Sequence, residues 1–87
     1  MEISQEEIKE IVNNIKMQRV FSSNLVAMGY NEQKKILRVI FKGNSSYLYF
    51  DIEPEVYNTL MQSESKGKAL NESVIRQKEK YKYLKLT

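Results

Sequence analysis

Ile8, Ile11, Val12 and Ile15 are separated by Lys9, Glu10 and the pair Asn13-Asn14, and this spacing sets them on one face of a 3.6-residue period. It predicts an amphipathic helix within the first 19 residues. The start is marked by Ser4, a natural N-cap. Glu7 follows three residues later to complete a capping box, and Ile3 and Ile8 are placed for a hydrophobic staple. Glu6, Glu7 and Glu10 lie toward the positive end of the helix dipole, so much of the acidity here has a structural cause.

After Arg19 the period shortens. Residues 24–30 (NLVAMGY), 35–41 (KILRVIF) and 46–52 (SYLYFDI) are strand-like, and polar turns at Asn31–Lys34 and Lys42–Ser45 separate them. The second turn contains Gly43 and Asn44, which tolerate positive φ. Three strands on short turns predict an antiparallel meander. Leu37, Val39 and Phe41 alternate onto one side of the middle strand. In the next strand Tyr47 and Tyr49 share a face, while Leu48, Phe50 and Ile52 take the other.

Pro54 ends the sheet and suits the first turn of a helix, where its missing N–H costs nothing. Val56, Tyr57, Leu60 and Met61 follow at helical spacing. Gly67 is expected to break that helix, and a second short helix is expected from about Leu70 to Lys78 with Val74 and Ile75 facing inward. The closing KYKYLKL alternates as a final edge strand would. The expected class is α+β: an N-terminal helix, a three-stranded antiparallel meander, two short C-terminal helices and a final edge strand. Residues 1–87 form a single domain, divided into a helical extension (1–19), a central unit (20–81) and a basic tail (82–87). That length is slightly above the roughly 70–80 residues below which one core usually needs covalent or metal support.

Composition narrows the chemistry. With no cysteine and no histidine, the chain has neither a thiolate nucleophile nor the commonest general base and metal ligand. No metal or cofactor is expected. No apolar run approaches the roughly 20 residues of a membrane span, and the N-terminus lacks a signal-peptide core, so the expected location is cytoplasmic. The net charge of +3 is unevenly distributed: four acids face one base up to Ile15, and seven bases face two acids from Ser65 onward. Read structurally, these charges are a solvated surface. Read functionally, the second group is a basic face for phosphate.

Asp51, Glu53 and Glu55 are close enough for general acid–base work, yet a strand-to-helix corner with capping acids explains them better. Ser22 and Ser23 have no histidine to activate them. Gly67-Lys68 lacks the earlier glycine of a phosphate loop. The expectation is a protein without catalytic activity. Tyr47 and Tyr49 either stack on bases, at roughly 1–3 kcal/mol per base, or pack beneath helices with only their hydroxyls emerging. Asn71 and Arg76, preceded by Lys66 and Lys68, either meet a phosphate near a helix start or act as cap and ion-pair partner.

The run Ser22-Ser23-Asn24-Leu25 to Gly29-Tyr30, then Leu37-x-Val39-x-Phe41, Gly43, Tyr47-x-Tyr49, Pro54-x-Val56-Tyr57-x-x-Leu60, Ser65-x-Gly67-x-x-x-Asn71 and Ile75-Arg76 resembles the KTSC domain from about Val20 to Tyr81. That family takes its name from the C-terminal domain of some lysyl-tRNA synthetases and includes free-standing small proteins. Asn31 stands where the family usually has Asp, and Ala69-Leu70 replaces a more usual aromatic pair. The resemblance implies RNA binding and places Ser23, Asn24, Tyr30, Tyr47, Tyr49, Asn71 and Arg76 at the family's recurrent polar and aromatic positions. With Lys68 they form the candidate ligand site.

The expected function is a non-catalytic module binding nucleic acid, RNA or single-stranded, through a Tyr/Lys/Arg face. Two alternatives stand beside it: a binder of a nucleotide-type small ligand, and a protein-interaction or inhibitor module of phage or bacterial origin. In the last, the N-terminal helix meets a protein partner or a second copy.

Overall fold

The computed structural model describes residues 3–86. Helix α1 (Gln5–Asn13) starts where its cap predicts, with the Glu7 N–H donating to Ser4 Oγ at 3.1 Å. It ends sooner than the apolar spacing suggests. The Asn14 backbone N–H and side-chain Nδ2 both donate to the Glu10 carbonyl, at 3.1 and 2.9 Å, and close the last turn. Residues Met17–Arg19 then form strand β1. Three residues of Met, Gln and Arg have no alternation to read, and pairing with the next strand supplies what propensity does not.

Strands β2 (Leu25–Asn31), β3 (Ile36–Phe41) and β4 (Ser46–Tyr49) are the expected meander. Gly43 and Asn44 take positive φ, at 93° and 70°, in the β3–β4 turn. After β4 come α2 (Pro54–Gln62), α3 (Lys66–Leu70), one π-helical turn (Asn71–Ile75) and β5 (Tyr83–Lys85). The sheet has five antiparallel strands in the order β1-β2-β3-β4-β5, so the meander gains the anticipated edge strand β5 and the unanticipated β1.

The break between the C-terminal helices is not at Gly67. Helix α2 stops at Gln62, and the polar Ser63-Glu64-Ser65 segment makes the corner. There Lys66 Nζ and Ser63 Oγ satisfy backbone carbonyls of Ser63 and Ser65 at 3.0 and 3.2 Å. Gly67 sits inside α3, and the second helix therefore runs earlier than expected, from Lys66 to Ile75.

Both faces of the sheet are covered. On one, Ile11 and Ile15 of the α1 segment pack on Ile36, Leu48 and Phe50. On the other, Leu60, Leu70 and Val74 from the C-terminal helices pack on Met28, Leu37, Val39 and Tyr49. Ile52 belongs to this second cluster and not, as the alternation suggests, with Leu48 and Phe50. Asp51, at φ 60°, turns the chain out of the strand and reverses the count. No helix among the described residues is long and apolar enough to cross a membrane.

Candidate ligand-binding face

The tyrosine face is the helix-covered face, and its cover is incomplete. Register places Tyr49 opposite Tyr83 and Tyr47 opposite Lys85. Tyr47 lies 6.2 Å from Tyr49, with rings nearly parallel, and 6.0 Å from Tyr83, with Phe41 edge-on at 5.6 Å. These are ordinary separations for attractive ring pairs. The rings line an open depression of about 540 Å³ whose rim carries Ile75, Lys78 and Lys85.

The two predicted tyrosines differ in role. Tyr49 is buried at 6 % exposure, and burial, then Tyr47 and Tyr83, push its phenol up to about 12. Its ring therefore forms the wall of the depression and is not itself a free platform. Tyr47 is half-buried, and Tyr83, which sequence reasoning passed over, is 57 % exposed. The signal for Tyr83 was present in the tail's alternation, which puts it two residues from Lys85 and on the same face as that lysine.

A second depression adjoins the first and shares Ile75 with it. It brings the adjacent pair Ser23 and Asn24 together with Lys68 and Asn71, more than forty residues further along the chain, at a hollow of about 790 Å³. Its floor is fixed by a close approach. Asn24 Oδ1 accepts from Ser22 Oγ at 2.9 Å, and the Asn24 side chain lies directly against Gly67, where any β-carbon would strike it. Gly67 is thus a packing glycine. Phe21, on the rim, is 98 % exposed.

Tyr30 is elsewhere. Its hydroxyl donates to the Ile52 carbonyl and its ring stacks on Tyr57 with centroids 4.9 Å apart, which ties β2 to the strand-to-helix corner. Burial, then Glu53, Glu32 and Glu55, raise its pKa, and burial raises that of Tyr57. Arg76 closes the π-helical turn through its backbone N–H, which donates to the Asn71 carbonyl at 2.9 Å, while its side chain is exposed and lines neither depression.

The first hollow is lined by Lys78 and Lys85 with no acid, and the second by Lys66 and Lys68 with one, Glu64. The one salt bridge among the described residues, Lys35 to Glu53 at 3.2 Å, is on another part of the surface. Lys68, Lys78 and Lys85 therefore present cations with no ion-pair partner among those residues. Among the described residues no group of three or more His, Cys, Asp or Glu is arranged to hold a metal ion.

Residues 21–84 match the KTSC domain. A protein of Tsukamurella paurometabola is 42 % identical over 55 residues, which cover 63 % of this chain and 82 % of that one. An uncharacterized protein of Stutzerimonas stutzeri is 35 % identical over 51 residues, covering 59 % and 72 %. The crystal structure of a KTSC domain protein from Yersinia pestis has the same fold. It superposes with a TM-score of 0.75 at 23 % identity and covers 84 % of this chain and 99 % of its own.

Proposed function

This chain belongs to the KTSC domain family, and from that premise we propose that it is a non-catalytic, cytoplasmic binding module for nucleic acid, either RNA or single-stranded DNA. The observation that carries the reading is the open tyrosine trough. Tyr47 and Tyr83 offer ring surface beside Lys78 and Lys85, which have no ion-pair partner among the described residues. Aromatic rings stack on any base, because every base has a π-face, and lysines hold the adjoining phosphates. The absence of histidine and cysteine, together with the Lys35 pairing of Glu53, supports a module without catalysis. Helix α1 commits Ile11 and Ile15 to the chain's own core, which favours this face over the helix as the recognition surface.

The test is a titration of short single-stranded RNA over a salt series, with Tyr47→Ala/Tyr83→Ala as the control. Two lysine–phosphate contacts on a single strand give a log–log salt slope of about −1.4. Binding is expected to weaken with that slope and to vanish in the variant while its far-ultraviolet dichroism is unchanged. No binding at low ionic strength refutes the reading. A mononucleotide that binds as tightly as the oligomer assigns the trough to a small nucleotide-type ligand instead, for which its volume is adequate.

A further inference from the structure

We propose that Phe21 is a second base-stacking platform, so that this face takes at least two linked nucleotides in preference to a mononucleotide. The inference rests on the nucleic-acid reading above and adds a site to it. Phe21 and Tyr83 are the two large hydrophobic side chains left exposed among the described residues. They stand on adjoining depressions that meet at Ile75. Leaving a phenylalanine 98 % exposed forgoes nearly all the stabilisation its burial would bring.

The ring is not exposed for want of anchoring. Val20 is buried, and its N–H donates to the Val26 carbonyl at 3.0 Å. On the other side, Ser22 and Asn24 bond to each other, and the Lys42 N–H donates to the Asn24 carbonyl at 2.9 Å. The backbone on both sides of Phe21 is therefore fixed, and it sets the point from which the ring projects into solvent. The depression that Phe21 lines also carries Lys66, Lys68 and Asn71, beside one acid, Glu64, and these cations and the amide suit the phosphate that links two stacked bases.

Fluorescence polarisation with labelled octauridylate, competed by unlabelled octauridylate or by uridine monophosphate, tests this in the full chain. Loss of one stacked base weakens binding about 5- to 150-fold. Phe21→Ala is expected to weaken octauridylate by that amount and to leave uridine monophosphate unmoved. Phe21→Trp retains binding, whereas Phe21→Leu does not restore it. Because the side chain touches no core cluster, dichroism and melting temperature should match the parent. Octauridylate affinity unchanged in Phe21→Ala but reduced in Tyr83→Ala overturns the second platform and leaves the first reading standing, as does full rescue by leucine. A parent protein that binds neither probe removes both.

Discussion

Replacing Gly29 by alanine places a methyl group where the chain has already filled the space. A β-carbon there would stand 2.6 Å from Ile15 Cγ2, 2.6 Å from the Lys16 carbonyl oxygen and 2.7 Å from Met17 Sδ. Optimal contact between carbon atoms is about 3.5–4.0 Å, so each neighbour must retreat by roughly 1 Å. Met17 can do so by changing rotamer. Ile15 is buried at 6 %, and the Lys16 oxygen is backbone, fixed just ahead of the Met17–Gly29 pairing. Overpacking of this kind costs about 1–3 kcal/mol, and a clash with backbone belongs in the upper half of that range. At about 4–8 °C per kcal/mol for a domain of this size, roughly 2–3 kcal/mol lowers Tm by about 8–24 °C.

The assay is thermal and urea unfolding, with amide hydrogen exchange to locate the damage. Protection should fall first in α1 and β1 and persist in β3 and α2. Adding Met17→Ala should recover only part of the loss, because it frees one contact of three. A melting temperature equal to the parent's refutes the reasoning, and so does full recovery in the double variant.

Three further outcomes follow from the same geometry. The raised phenol of Tyr49 means that the folded state holds its proton more tightly than the unfolded chain. The stability it contributes is present below about pH 10 and lost as pH rises toward about 12. Urea midpoints measured across that window should fall, and less steeply in Tyr49→Phe. Ser4→Ala removes the acceptor of the Glu7 N–H and should cost about 1 kcal/mol in thermal unfolding, with Ser4→Asp close to neutral. Tyr30→Phe deletes the bond to the Ile52 carbonyl while keeping the stack on Tyr57, and a urea titration should register about 0.5–1.5 kcal/mol.

Much of the fold was legible along the chain because it rests on local rules. The α1 start follows from Ser4 and the isoleucine spacing, the β3–β4 turn from Gly43-Asn44, and the start of α2 from Pro54. The shared face of Tyr47 and Tyr49 follows from the period of two. Strand β1 was not legible, since its three residues are strand only by virtue of the β2 edge they meet. Ile52 was misplaced because one positive-φ residue, Asp51, interrupts an alternation that sequence counting assumes to be continuous.

The candidate site divides in the same way. The family resemblance, with Lys68 added, marked eight residues as one site, and the structure gathers four of them, Ser23, Asn24, Lys68 and Asn71, where the loop before β2 lies against α3. Nothing in the sequence separates Tyr49, buried as a wall, from Tyr83, exposed beside it, or places Tyr30 away from both. Nor does any local signal show that Phe21 faces water. Periodicity determines which side of a strand or helix a residue occupies. How far that side is covered depends on where α2, α3 and β5 come to rest, and that is decided by packing between residues distant in sequence, which only the tertiary structure contains.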